Sequence, residues 1–477
     1  MKMPNIKIMT ALAAVACLLV TACSSDPEGP ETNRPDGGGE TASSPDVTVA
    51  DDGSVTFNTE LTIVVNDKPT AEREEDLAFW EESVKRFNEQ WPEVTIEGQE
   101  VAYEPQAFQA QLTAGNLPIQ MVVPFTEPRR LGENQQVADI TEDLKSLGLY
   151  EQLNPDLLQN VEVGGGVYAI PYQAYAQGLA VNRDLMTQAG LDPDAPPATW
   201  DEVREAAKAI TDATGEAGFG FPTTGNYGGW MFTTMCYSYG GTIQDEEGTQ
   251  MTIANPGCTK ALQTLKDMRW ADGSMSANAV YSDEQLWQDF GAGRVGFAIS
   301  DPAGAYWAAV LDNGMDQEDL GAGPLPQDGG EHGTLGGGAV SIVSPDATEA
   351  ERIAAILWTK TYYLDRYLGE DVAADAAKSQ NEAGLPVGIP EVFPLSDAGR
   401  EEYSNWIEPH VNVIPENYAS YQESPVTTMI LAEPPNSTQE VYAEIDAVIQ
   451  QVLSEESADP EALLVEAQER IQNQLGR

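Results

Sequence analysis

From residue 60 onward, apolar residues recur along the chain in two alternating periods. Leu61 to Val65 is an apolar run of strand length. Leu77, Trp80, Val84 and Phe87 follow at helical spacing, and Val94 and Ile96 then alternate with polar neighbours. Strand, helix and strand in that order predict a β-α-β unit, and with it a parallel sheet covered by helices. The alternation continues downstream. Val203, Ala206, Ala207 and Ile210 share one helix face, and Thr199 with Glu202 three residues on reads as the capping box that opens this helix. Val295 to Ile299 and Ala339 to Val343 read as buried strands. Residues 350–367 read as a helix with Ile353, Ile356, Leu357 and Leu364 inward, and Asp459-Pro460 opens a last helix with Leu464, Ala467 and Ile471 on one side. No internal repeat is found. The fold class predicted is α/β, most simply two sheets flanked by helices.

The first residues have a different pattern. Lys2 and Lys7 precede an apolar run from Ile8 to Val20, too short and too one-sided for a spanning helix, so residues 1–22 read as a secretory signal peptide. Thr21-Ala22-Cys23 is similar to the bacterial lipobox, which implies a lipidated Cys23 and a lipid anchor holding the protein at the outer face of the cytoplasmic membrane. An ordinary cleaved signal with an incidental cysteine is the weaker reading. Residues 23–57 are Gly, Pro, Ser, Thr, Asp and Glu with few large apolar side chains, and read as a flexible acidic tether. A tether of that length spans on the order of 30 Å.

Composition narrows the function. The 77 Asp and Glu against 24 Lys and Arg give a net charge of −53, a field that repels nucleic acid and anionic membrane. A solvated acidic surface accounts for the charge without a cationic partner. Roughly 420 residues beyond the tether exceed one ordinary core, so two lobes are expected. Of four cysteines, Cys17 leaves with the signal and Cys23 would carry lipid. Cys236 and Cys258 remain, and in an oxidising compartment such a pair is more readily a disulfide than two buried thiols. With only His332 and His410 and no CxxC, no metal site or cofactor is expected. P-loop, HExxH and GxSxG motifs are missing. Gly291-Ala-Gly293-Arg-Val-Gly296 matches GxGxxG, but it follows a helix and precedes a strand, the reverse of the dinucleotide-binding order.

Residues 163–210 then present Gly165-Gly-Val-Tyr-Ala-Ile-Pro-Tyr172, Gly178-Leu-Ala-Val-Asn-Arg-Asp-Leu185, Ala189-Gly-Leu-Asp-Pro193 and Pro197-Ala-Thr-Trp-Asp-Glu-Val203. In order and spacing these resemble the extracellular solute-binding proteins of the family that includes the maltose-binding proteins. The segment beginning at Phe290, Pro324-Leu-Pro and the glycines Gly336 to Gly338 continue the likeness. The resemblance implies a periplasmic-binding-protein-like fold of type II. Two α/β lobes would be joined by a hinge of about three crossings, near 172–177, 336–338 and 386–390. Lobe 1 would comprise 58–174 and 338–388, and lobe 2 would comprise 175–337 and 389–477. It further implies a monomer that captures a small carbohydrate or polyol between the lobes and delivers it to the transmembrane subunits of an ABC permease. The chain departs from the family at Ile119-Gln120, where an acidic residue is usual after proline, and at Ala303, where a tryptophan is common.

A sugar is held by flat aromatic faces and by short polar groups that satisfy its hydroxyls. Asn66 and Asp67 follow the first strand at its carboxyl end, where ligands of open α/β sheets sit; a helix-entry turn is the competing reading. Glu127 follows a later strand. Tyr172 and Tyr175 flank the first crossing, and Gly337 and Gly338 lie at the second. The resemblance makes Trp230, ahead of Gly240-Gly241, the expected stacking aromatic. Asp301 stands beside Tyr306 and Trp307, where a carboxylate could accept two hydroxyl hydrogens. Trp80 and Trp200 sit on helical patterns and read as core. The rival function is an exported carbohydrate-active hydrolase using paired carboxylates.

Overall fold

The computed structural model describes residues 45–475 except Ala102, Glu104, Thr126, Glu246 and Glu247. The signal peptide, Cys23 and the tether up to residue 44 lie outside the described residues.

The first sheet begins as its apolar runs dictate. Leu61–Val65 lies parallel to Val94–Gly98, with the helix Glu74–Gln90 between them in sequence. Val65 also pairs with Gln120 at the start of Gln120–Pro124. The long strand Thr334–Val343 runs antiparallel to Gln120–Pro124 and to Ile170–Ala176. Ile430–Leu431 adds a short parallel edge beside residues 334 and 335. Ile63, Phe87, Trp80 and Trp358 close one side of this lobe, and Trp80 meets Trp358 edge-on at 5.9 Å. Residues 45–57 belong to this body rather than to the tether. Val47–Val49 pairs antiparallel with Val55–Phe57, and Val47 and Phe57 are buried with Ile63. Their alternating apolar positions overcome an otherwise polar composition.

The second sheet has the order Ala217–Phe219, Val295–Ile299, Gly178–Asn182, Leu320–Pro324. Trp200, Val203, Ala207 and Ile210 bury one face of the helix Trp200–Thr214 against it, and the capping box of Thr199 and Glu202 is formed. Behind them pack Tyr227–Ser238, Pro256–Trp270 and the two last helices, Thr438–Ser454 and Pro460–Leu475. A disulfide joins Cys236 to Cys258, with their Cα atoms 4.3 Å apart. The N-terminus of Tyr227–Ser238 has no cap of its own. The Asp446 carboxylate from Thr438–Ser454 accepts from the backbone N–H of Asn226 at 2.8 Å and of Gly229 at 2.7 Å. No helix among the described residues is long and apolar enough to cross a membrane.

The chain passes from the first sheet to the second between Ala176 and Gly178, and back between Pro324 and Thr334. From 386 to 413 the chain touches both lobes, and Ile389 already packs against the second-lobe cluster of Leu320 and Tyr421. Val392, Phe393 and Leu395 still pack with Ile170 and Leu153, whereas Val413, Tyr418 and Tyr421 pack with Leu320. Ile430–Leu431 then touches the first sheet once more before the C-terminal helices settle in the second lobe.

Candidate functional site

Where Thr334–Val343 passes between the lobes, three consecutive glycines let the strands come close. A Cβ on Gly338, whose φ is +153°, would stand 2.0 Å from the Gln173 carbonyl oxygen. A Cβ on Gly337 would meet the Tyr175 hydroxyl at 3.0 Å. Above these glycines opens a cleft of about 780 Å³. The first lobe contributes Phe125, Arg129, Gln173 and Tyr175, the second Tyr237, Gln244 and Asp245, and the segment after Ile430–Leu431 contributes Glu433.

These groups are held by bonds to their surroundings. The Tyr237 hydroxyl donates to the Ala432 carbonyl at 3.0 Å, leaving its oxygen as an acceptor. Gln244 pairs twice with the backbone of Asn436, at 2.8 and 3.0 Å. Asp245 closes its own turn by accepting from the backbone N–H groups of Gln250 and Thr249, which hold its carboxyl below the usual range. Glu433 accepts from the Tyr442 hydroxyl at 3.0 Å, and burial raises its carboxyl. Tyr175 is pushed up to about 12 by burial first, then by the negative charges of Glu433 and Asp301. Two carboxylates therefore act on the one hydroxyl that stands over Gly337. Arg129 is the one basic residue that lines the cleft among the described residues. It is exposed, and it forms no ion pair among the described residues.

Of the residues expected from sequence, Tyr175, Gly337 and Gly338 line this cleft together. Asp301 stands close enough to act on Tyr175 and Tyr421, while its own side chain accepts from the Gly304 N–H at 3.0 Å and caps the short helix Pro302–Ala305. Asn66, Asp67 and Tyr172 form a second group. Asn66 is buried and accepts from the Val122 N–H at 2.8 Å, leaving its amide nitrogen without a partner. Asp67 has φ +64° and a carboxyl raised by burial. Tyr172 stacks on Tyr363 at 4.0 Å. Lys68, next in sequence, lies over the Trp80 ring and pairs with Glu100. Glu127 is bound by the Tyr103 hydroxyl and by Arg130.

The remaining aromatics lie elsewhere. Trp230 does not line the cleft: its ring packs against the second-lobe core and edge-on to Tyr227, because Gly229 lets the helix press against Tyr442. Tyr306 is buried in the core beside Phe290, and Trp307 is exposed on the π-helical turn Tyr306–Asp312. Gln173 falls within the expected crossing near 172–177 but was not singled out, and Tyr237 and Glu433 gave no sequence signal. Tyr237 sits within an almost wholly buried helix, and the segment at 430–435 reaches the cleft only through strand pairing that spacing does not disclose.

The model of the bacterial extracellular solute-binding proteins matches residues 70–365. The sn-glycerol-3-phosphate-binding periplasmic protein UgpB of Agrobacterium fabrum is 30% identical over 198 residues, 39% of this chain and 42% of that protein. The chain spans between 35% and 50% of the length of the curated relatives it matches. Among solved structures, the cyclic α-maltosyl-1,6-maltose binding protein of Arthrobacter globiformis superposes with a TM-score of 0.60 at 22% identity, over 88% of this chain and 99% of that one. UgpB of Mycobacterium tuberculosis, in complex with glycerophosphocholine, gives 0.58 at 17% identity over 87% and 98%. The fold is that of the type II periplasmic binding proteins.

Proposed function

Since the chain belongs to the bacterial extracellular solute-binding proteins, we propose that it is the substrate-binding lipoprotein of an ABC importer, capturing a small carbohydrate or polyol between its lobes and delivering it to the permease. The observation that carries this reading is the composition of the cleft. A cavity of about 780 Å³ shared by both lobes joins tyrosine faces to amide and carboxylate groups. Aromatic faces cover the C–H surface of a sugar ring, and the polar groups replace the water that its hydroxyls lose.

In this reading Tyr175 and Tyr237 are the cleft aromatics, and Gln173 and Glu433 meet hydroxyls. Gly337 and Gly338 keep the floor low enough for a ring to approach the backbone. Asn66, Asp67, Tyr172, Glu127 and Asp301 lie outside the lining of this cleft and join the ligand as the lobes close. The absence of side chains at residues 336–338 also lets that strand turn as the lobes rotate. Ligand selects the closed form, and the closed form docks on the permease. The protein acts as a monomer without cofactor, and it binds the solute without chemical change. The lipid on Cys23 keeps it at the membrane.

Calorimetry and thermal shift against monosaccharides, disaccharides and polyols test this reading. A ligand that raises the melting temperature and is recovered intact is the expected result. Release of new reducing ends would instead make the protein a hydrolase, and no stabilisation by any member would remove the solute-binding role.

A further inference from the structure

We propose that Glu433 sets the ligand class of the cleft, selecting uncharged polyhydroxylated compounds over their phosphorylated counterparts. The inference rests on the solute-binding reading above and goes further, since both carbohydrate and glycerophosphate binders are found among the proteins similar to this chain. It comes from the balance of donors and acceptors on the cleft wall. Glu433 lines the cavity and uses one acceptor site for the Tyr442 hydroxyl. An ionised carboxylate has about four such sites, so the others are free for a ligand. The Tyr237 hydroxyl spends its hydrogen on the Ala432 carbonyl, so toward the cleft it offers an acceptor as well.

Such a wall is complementary to a ligand rich in hydrogen-bond donors. Neighbouring ring hydroxyls supply these; a phosphate group, whose oxygens are acceptors, does not. Charge points the same way. Glu433 and Asp301 both act on the Tyr175 hydroxyl, and Asp245 stands on the facing lobe. Against these carboxylates Arg129 is the one cation lining the cleft among the described residues, and its exposed guanidinium is screened by water. A phosphorylated ligand placed against Glu433 would meet like charge in a partly desolvated site.

The test uses the mature protein and matched pairs of probes in calorimetry: glycerol and sn-glycerol 3-phosphate, glucose and glucose 6-phosphate, maltose and its phosphorylated form. At least one neutral probe should bind about tenfold or more tighter than its phosphorylated partner. Glu433→Gln should weaken that neutral probe by about tenfold through loss of charge-assisted bonds, and should narrow the gap within the pair. Tyr442→Phe, which releases Glu433 from its support without touching the cleft, should weaken it several-fold. Equal or tighter binding of the phosphorylated probes would overturn the inference while leaving the solute-binding reading in place. Unchanged affinity of the neutral probe in the folded variants would overturn the role of Glu433. If no probe of either kind binds the unaltered protein, the solute-binding reading falls and this inference with it.

Discussion

Replacing Gly338 by alanine tests the crossing on which the whole cleft depends. The added methyl would stand 2.0 Å from the Gln173 carbonyl oxygen, 2.7 Å from the Phe125 ring and 2.9 Å from the Ala174 Cα. Two of these three atoms are backbone of the paired strand, so relief requires the strands to part by about 1 Å, an overpacking that costs about 1–3 kcal/mol. The φ of +153° adds about 1–3 kcal/mol more for a residue with a Cβ. A total of about 4 kcal/mol, set against an unfolding entropy of about 2.1 cal/mol/K per residue over the folded body, lowers the melting temperature by about 4 °C. Gly337→Ala is the control. The three atoms nearest its methyl all belong to the Tyr175 side chain, the hydroxyl at 3.0 Å, and that side chain can swing away. Its melting temperature should stay within about 1 °C of the unaltered protein, while ligand affinity falls because Tyr175 is displaced. Differential scanning calorimetry reads the first effect and titration the second. A Gly338→Ala protein that melts with the parent would refute the close-packed crossing.

Replacing Cys236 and Cys258 by alanine opens a loop of sequence separation 22, whose closure contributes about 3 kcal/mol on chain-entropy grounds; the double variant should melt about 3–4 °C lower, and an unchanged melt would show that the bond contributes nothing. Trp230→Ala should cost about 2–3 kcal/mol of stability and leave ligand affinity within about threefold, whereas a large affinity loss at unchanged stability would return Trp230 to the cleft. Burial raises the carboxyls of Asp67, Asp301, Glu433 and Asp446. Their protonated forms fit the fold better than their ionised ones, so their contribution is full below the ordinary carboxylate range and is lost as pH rises through the raised values. Hydrogen bonds lower Glu202 and Asp245, which contribute above the ordinary range and lose that contribution as pH falls through the lowered values. Together with a net charge of −53, this places the highest melting temperature on the acidic side of neutrality and makes added salt stabilising at pH 7.5; a melt that rises steadily with pH to 8 would contradict it.

The parts of the fold legible in sequence are those governed by local period. The β-α-β opening, the capping box at Thr199, the buried strand Val295–Ile299 and the C-terminal helix with Ile471 inward all follow from spacing alone. The short hairpin at 47–57 escaped because two three-residue strands carry too few apolar positions against a polar background. The cleft was legible where the chain changes sheets, since Tyr175 and Gly337 line it there. Tyr237 and Glu433 were not. Glu433 reaches the cleft through the pairing of residues 334–335 with 430–431, nearly a hundred positions apart, and Tyr237 sits in a helix so fully buried that its spacing marks no cleft-facing side. Trp230 shows the converse, because a spacing borrowed from relatives does not specify which face of a helix turns toward the ligand.

Small-angle X-ray scattering of the mature protein, with and without a carbohydrate whose binding calorimetry has established, measures the central claim most directly. Lobe closure predicts a smaller radius of gyration in the bound state and a loss of that change in Glu433→Gln at the same ligand concentration. Superimposable profiles at saturating ligand would contradict closure of the cleft on its solute.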